Sequence, residues 1–207
     1  MKSVGIDRSQ HNFDFTRRWF LNRNASTFCK YILPKWKDKK LIYLELGVFE
    51  GMSMVWMMQN ILTHPESYAV GIDPWLITRK LLGNVMEQVM ERAFHNTKCF
   101  PNCKLIRGSS VEVLNRMRGK KGFEGIKKNT VDLCMIDGDH NSLGVLSDCY
   151  ACYNLIKTGG WMLFDDVENR IEKKDHVKQG LSRFLEEYEG KVKMIWKHNF
   201  MECYEKL

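Results

Sequence analysis

From residue 41 onward the chain alternates short apolar runs with longer amphipathic ones, and near its end that alternation stops. Strands are predicted at "LIYLEL" (41–46), "YAVGID" (68–73), "CKLIRG" (103–108), "VDLCMI" (131–136) and "GWMLFD" (160–165). Helices are predicted between and after them, over 52–62, 79–95, 110–118, 142–156 and 175–188. The second of these places Leu81, Leu82, Val85, Met86, Val89, Met90, Ala93 and Phe94 at the spacing of one buried face. The last repeats the pattern behind Asp175, a candidate cap. Repeated strand–helix units call for a parallel sheet covered by helices. The final runs, "KVKMIW" and "NFMECYEK", have only Lys197 and His198 between them. Two residues cannot carry a helical crossover, so these strands must pair antiparallel. A parallel α/β sheet closed by an antiparallel hairpin is a restricted topology. Ahead of the first strand, "NASTFCKYILPKW" reads as a short helix capped at Asn24 and stopped at Pro34, behind an arm containing Arg17, Arg18, Trp19 and Phe20.

At 207 residues the chain suits one well-buried domain, residues 1–207, with 1–40 as an N-terminal arm and helix. No stretch reaches the roughly 18 apolar residues of a membrane span, and the N-terminus lacks the apolar core of a secretory signal. The expected location is therefore cytoplasmic. Seven cysteines, odd in number and scattered, read as reduced thiols. Cys99 with Cys103 and Cys149 with Cys152 have zinc-like spacing, but the second pair falls on a predicted helix, and core thiols are the plainer reading. A net charge of +7 raises nucleic acid as a partner. Its densest clusters, "KWKDKK" (35–40) and "RGKKGFEGIKK" (118–128), each precede a predicted strand. They fall at the N-terminal edge of the sheet, away from the end where such sheets bind ligands.

The first predicted strand runs into "ELGVFEGMS", where Gly47 and Gly51 bracket a tight turn entering a helix. Such a turn exposes backbone N–H groups, and a helix N-terminus favours an anionic group. The second strand ends in Asp73, an acid placed to accept hydrogen bonds from ribose hydroxyls. A turn plus a loop carboxylate explains the same residues without a ligand. The spacing is not the GxGxxG of a nicotinamide dehydrogenase.

Taken in order, "LELGVFEGMS", "GIDPW", "RGSSVE", "MIDGDH" and "GGWMLFDDV" resemble the motifs of class I S-adenosylmethionine-dependent methyltransferases. The nearer likeness is to metal-dependent O-methyltransferases acting on catechols or on sugar hydroxyls. The resemblance implies a three-layer, doubly wound Rossmann-like fold with a seven-stranded sheet of order 3-2-1-4-5-7-6, strand 7 antiparallel. It further implies that Glu45, Gly47 and Gly51 shape the pocket for the methionine part, and that Ser53 holds its carboxylate. Asp73 would take the ribose, Ser109 and Ser110 the adenine edge, and Asp137 would also line the cofactor. Ser109 and Ser110 serve equally well as a helix cap.

In that topology Asp137 ends strand 4 and Asp165 with Asp166 ends the neighbouring strand 5. Three carboxylates converging there would repel unless a cation sat among them, and oxygen donors select a hard ion such as Mg2+. Read as structure alone, Asp165 and Asp166 are turn residues and Asp137 a cap for helix 142–156. His140 stands where catechol-type relatives carry lysine, and is the leading general base. Asp137 is the alternative base, and a structural histidine is the third reading. Asp139 reads as a turn residue or an outer partner. Asp166 departs from the catechol type, which has asparagine, toward the sugar type. The expected activity is methyl transfer to a hydroxyl of a small molecule, a sugar or another diol. Nucleic-acid methylation, whose amino-methylating enzymes carry an Asn-Pro-Pro-Tyr type motif where "DGDH" stands here, and a non-catalytic cofactor-binding module are the alternatives. The acceptor is expected to meet the arm before residue 34 and the loop 167–175, with Arg17, Arg18, Arg170, Lys173 and Lys174 in reach. A homo-oligomer is left open.

Overall fold

The computed structural model describes residues 4–9, 11–76, 83–168 and 176–207. Seven strands form one sheet in the order β3-β2-β1-β4-β5-β7-β6. They are β1 Ile42–Leu46, β2 Tyr68–Asp73, β3 Cys103–Arg107, β4 Val131–Ile136, β5 Ile156–Phe164, β6 Val192–His198 and β7 Met201–Lys206. The pairs β2/β3, β1/β4 and β4/β5 run parallel, while β7 runs antiparallel to both β5 and β6. The expected α/β class, strand order and reversed seventh strand are all present. Every residue of β4 is buried, as befits a central parallel strand covered on both faces.

The chain divides into two compact units, one comprising Met1–Leu41 and Val48–Gly108, the other Ile42–Gly47 and Ser109–Leu207. In the first, α1 Trp19–Arg23, α2 Ala25–Thr27, a π-helical turn Phe28–Ile32 and α3 Leu33–Trp36 follow one another without a break. This corrects the expected helix bounds. Asn24 makes no capping hydrogen bond and sits in helical backbone. Pro34 opens the last segment rather than ending the helix, because the wider π turn before it accommodates a residue without an N–H. Helices α4 Met52–Asn60 and α5 Gly83–Thr97 complete this unit. Of the face expected on α5, Val89 and Ala93 are buried, but Val85 and Phe94 are exposed; Leu81 and Leu82 lie outside the described residues. The arm is fastened down: Trp56 Nε1 donates to Val4 O (2.7 Å), and Asn96 clasps Asp14 through both backbone groups (2.8 Å each).

The second unit contains α6 Ser110–Met117, α7 Ser142–Leu155 and α8 His176–Glu187. Helix α8 buries Val177, Leu181 and Phe184 as expected, while Asp175 lies outside the described residues. Gly180 lets it close on α7, since a Cβ there would stand 2.4 Å from Ser142 O. Two boundaries differ from expectation. Strand β5 begins at Ile156, directly after α7, because a bulge at Gly159 (φ +78°) lets Ile156 pair with Val131 before Trp161 resumes the ladder. The closing turn is Asn199-Phe200, with His198 still paired to Met201. Asn199 tolerates the left-handed φ of +54° there, and Lys197 is held in the strand by Glu168 (2.7 Å) and Glu202 (2.9 Å). All seven cysteines are free thiols, with Cys134 and Cys152 Sγ 3.4 Å apart in the core.

Candidate active site

The second unit brings together the tips of β1, β4 and β5. Asp137 N donates to Leu46 O (2.9 Å), and Gly47 turns away at φ +86°. A Cβ on Gly47 would lie 1.9 Å from the Asp137 carbonyl oxygen, so only glycine fits. Two residues before Gly47, Glu45 is fully buried and accepts a hydrogen bond from the Tyr43 hydroxyl (2.6 Å). Burial and the Glu45 charge push the Tyr43 phenol well above its ordinary range.

Beyond the strand tips, one ligand atom each from Asp137, His140 and Asp166 lies within 4.8 Å of the others. His140 Nε2 stands 3.9 Å from Asp137 Oδ1 and 3.8 Å from Asp166 Oδ2. Asp166 reaches this point from left-handed backbone (φ +53°), and its N–H is taken by Asp165 Oδ1 (2.8 Å). Of the three carboxylates expected to hold a metal, Asp137 and Asp166 fall in this group with His140, and the charge of Asp165, next along the chain to Asp166, acts on Asp137. Burial pushes the Asp137 carboxyl up to about 7; the facing His140 imidazole opposes this, and the charges of Asp165 and Asp166 add to it. A carboxyl so placed is poised to take a proton or to meet a cation.

The flanking residues are local builders. Asp139 Oδ1 accepts from Asn141 N (2.8 Å), and Asn141, not Asp137, caps α7 by accepting from Leu143 N (3.0 Å). Ser109 caps α6 by accepting from Glu112 N (3.2 Å). Ser110 faces Asp148, a residue that sequence reasoning passed over. Asp148 lies on α7, 1% exposed, with no hydrogen-bond partner for its Oδ2. Burial pushes its carboxyl up to about 6, with the Ser110 hydroxyl opposing and the Asp139 charge adding. Its signal was an acid at the buried spacing of Val145, Cys149 and Cys152.

The first unit, taken by itself, contains the turn after β1 and the end of β2. Gly51 N donates to Val48 O (2.8 Å), and Gly51 starts α4 from φ +77° without a side-chain cap, so Met52 and Ser53 form the first turn of the helix. Asp73 holds this turn from β2. Its Oδ2 accepts from Val48 N (2.9 Å) and Phe49 N (3.0 Å), its Oδ1 from Trp75 N (2.7 Å). Two lone pairs per oxygen leave one acceptor position on Oδ1. Glu50, also missed, is 1% exposed and accepts from Thr16 N (2.7 Å), Thr16 Oγ1 (2.6 Å) and Arg17 N (3.3 Å).

A family model described as a methyltransferase domain matches residues 44–167, which contain the glycine turn and the tips of β1, β2, β4 and β5. The chain belongs to this methyltransferase family. The methyltransferase domain is 32% identical over 132 residues to an uncharacterized protein of Acanthamoeba polyphaga mimivirus, an overlap of 62% of this chain and 52% of that protein. The chain thus spans about half the length of the curated relative it matches. Among solved structures it is similar to a TDP-rhamnose 3'-O-methyltransferase of calicheamicin biosynthesis (TM-score 0.54, 13% identity, 87% of this chain and 76% of that one). It is similar also to the MycE methyltransferase of mycinamycin biosynthesis, solved with Mg, SAH and mycinamycin VI (0.54, 16%, 94% and 50%). A Methanococcus jannaschii fibrillarin pre-rRNA processing protein has the same likeness (0.55, 13%, 82% and 67%). At such identities the neighbours share this methyltransferase's fold, and they do not choose its acceptor.

Of the expected cofactor and metal residues, Gly47, Gly51, Asp73, Asp137, Asp165 and Asp166 fall at strand tips or the turns after them, Glu45 lies within β1, Ser109 caps α6, and Ser53 and Ser110 lie in the first turns of α4 and α6. Arg170, Lys173 and Lys174 lie outside the described residues. Among the described residues, no helix is long and apolar enough to cross a membrane.

Proposed function

We propose that this chain is a single catalytic domain that transfers a methyl group from S-adenosylmethionine to a hydroxyl of a small molecule, a sugar or another diol, with Mg2+ assistance. The observation that carries the reading is the convergence of Asp137, His140 and Asp166 at the end of β4 within a methyltransferase domain. For the donor, Gly47 and Gly51 keep the turn free of side chains, Ser53 and the α4 N-terminus meet the methionine carboxylate, and Glu45 backs the turn. The spare acceptor position of Asp73 takes a ribose hydroxyl. Ser110 takes the adenine edge, since the Ser109 oxygen is engaged as a cap.

The donor set fits a divalent cation: two carboxylates and an imidazole converge, and burial, together with the charges of Asp165 and Asp166, already raises Asp137. Asp137 and Asp166, with Asp165 beside them, would hold Mg2+, an ion that prefers oxygen donors and keeps part of its water. Bound there, the cation would lower the pKa of an acceptor hydroxyl and orient it. His140 Nε2 takes the acceptor's proton, with Asp137 as the alternative base. The acceptor oxygen forms a bond to the methyl carbon as the carbon–sulfur bond breaks, and the bonding pair returns to sulfur as S-adenosylhomocysteine. Residues 1–40 contribute the acceptor lid.

The test is formation of S-adenosylhomocysteine from a panel of diol and sugar acceptors, with Mg2+ and with chelator. Turnover is expected with Mg2+ and lost with chelator, while calorimetric binding of S-adenosylmethionine survives. Turnover indifferent to chelator would remove the metal from the reading, and failure to bind S-adenosylmethionine would remove the activity.

A further inference from the structure

The arm carries an exposed tryptophan that is held in place. Trp19 is 55% exposed, yet the chain on both sides of it is anchored. Glu50 fixes the backbone at Thr16 and Arg17. Phe20 is buried edge-on to Phe28, with ring centroids 5.0 Å apart, and packs on Trp56. The indole stacks on Phe49 at 4.9 Å and 29°.

Phe49 is itself unusual. It lies in the turn between Gly47 and Gly51 and adopts a left-handed φ of +51°, a costly conformation for a bulky residue. Asp73 holds its N–H, and Trp75 Nε1 donates to its carbonyl (3.0 Å). A turn built only to reverse the chain would place glycine or asparagine at that φ. The phenyl ring is retained there, and its use is to carry the indole.

The charge beside the shelf is one-sided. The Arg17 guanidinium lies 5.9 Å from the centroid of the Trp19 ring, and among the described residues no carboxylate is paired with it. Arg18 is exposed next to it. Indole and guanidinium together match a ring that bears an anion: the ring stacks, and the guanidinium pairs with a carboxylate or phosphate.

We propose that Trp19 and Arg17, positioned by Glu50 and Phe49, form the acceptor subsite, and that the acceptor is a planar or sugar ring carrying an anionic group. This rests on the reading of the chain as a small-molecule methyltransferase, and it adds the acceptor's charge and shape. Glu50 is a positioning residue that ties the acceptor shelf to the donor's turn.

The test uses the full chain with S-adenosylhomocysteine present and two matched probe pairs, catechol with protocatechuate and rhamnose with TDP-rhamnose. The pairs separate a carboxylate from a phosphate as the anion. Binding is followed by calorimetry and by the fluorescence difference between wild type and Trp19→Phe, which isolates Trp19. An anionic member is expected to bind roughly tenfold more tightly than its neutral partner, as one stacked, charge-assisted contact allows. Arg17→Gln should remove most of that gain, Trp19→Ala should weaken both members of a pair, Trp19→Phe should restore most of the stacking part, and S-adenosylhomocysteine affinity should stay the same in all. Equal binding of both members of each pair, or variants indistinguishable from wild type, would overturn the subsite. So would Trp19 fluorescence that responds to protein concentration and to no probe, the mark of a self-association face. Probe binding that depends on Trp19 without any methylated product would sink the activity and leave the subsite. Turnover untouched by the variants would do the reverse.

Discussion

Gly47 is a steric requirement before it is a chemical one, since the space its side chain would fill is occupied by the Asp137 carbonyl. Gly47→Ala should cost roughly 3 kcal/mol or more, combining left-handed backbone with a backbone clash; denaturant unfolding reads this, and a loss under about 1 kcal/mol would contradict the packing. At the acidic cluster the prediction concerns pH. Asp137 and Asp148 are acids with raised folded values, about 7 and about 6. Their neutral forms suit the fold, so the stability they give is complete below their unfolded values near about 4 and is lost as pH rises through the folded ones. The metal-free protein should therefore melt progressively lower between about pH 4 and 7, and Asp148→Asn should raise the melting temperature near about pH 8 but not near pH 4. A gain confined to low pH would show the opposite sign. His140→Ala should lower kcat by about 100-fold or more while S-adenosylmethionine affinity holds, the loss expected of a general base; an unchanged kcat would leave His140 structural. Asp137, His140 and Asp166 were legible because charged residues at the ends of apolar runs need a reason. Asp148 and Glu50 were not, because each looks like an ordinary helix or turn acid until its burial is known. Ser109 could be read two ways, and its bond to Glu112 N makes it a cap.

Among the elements, the misplaced hairpin turn has a definite cause. Moving the turn by two residues keeps every side chain on its own face, so alternation cannot distinguish Lys197-His198 from Asn199-Phe200. Asn199 was the better clue, being the residue type that accepts φ +54°. Asn199→Val should lose about 1 kcal/mol in thermal or denaturant unfolding, while Asn199→Gly should be near neutral; equal effects would place the turn elsewhere. The extended helix through Pro34 was hidden for a different reason. A proline normally breaks the ladder, and the π turn Phe28–Ile32 that absorbs it has no simple sequence signature. Strand β5 was shortened in the sequence reading because Gly159 and Gly160 looked like a start, whereas they form a bulge within the strand.

For the molecule as a whole, the strand order was readable because alternation forces a parallel sheet and a two-residue connection forces the final reversal, and the family motifs set the order between them. The acceptor was not readable, since the arm and the loop after β5 follow no periodic rule. If the glycine turn, Asp73 and Ser110 bind the donor, S-adenosylhomocysteine at 100 times its Kd should stabilise the folded chain by about 2.7 kcal/mol. Metal binding by Asp137 and Asp166 is the central proposition. A crystal grown with S-adenosylhomocysteine and Mn2+ in place of Mg2+ should show an anomalous peak within about 2.2 Å of carboxylate oxygens from both Asp137 and Asp166, and none in Asp166→Asn. Bound S-adenosylhomocysteine with no peak at those carboxylates, in crystals saturated with Mn2+, would contradict it.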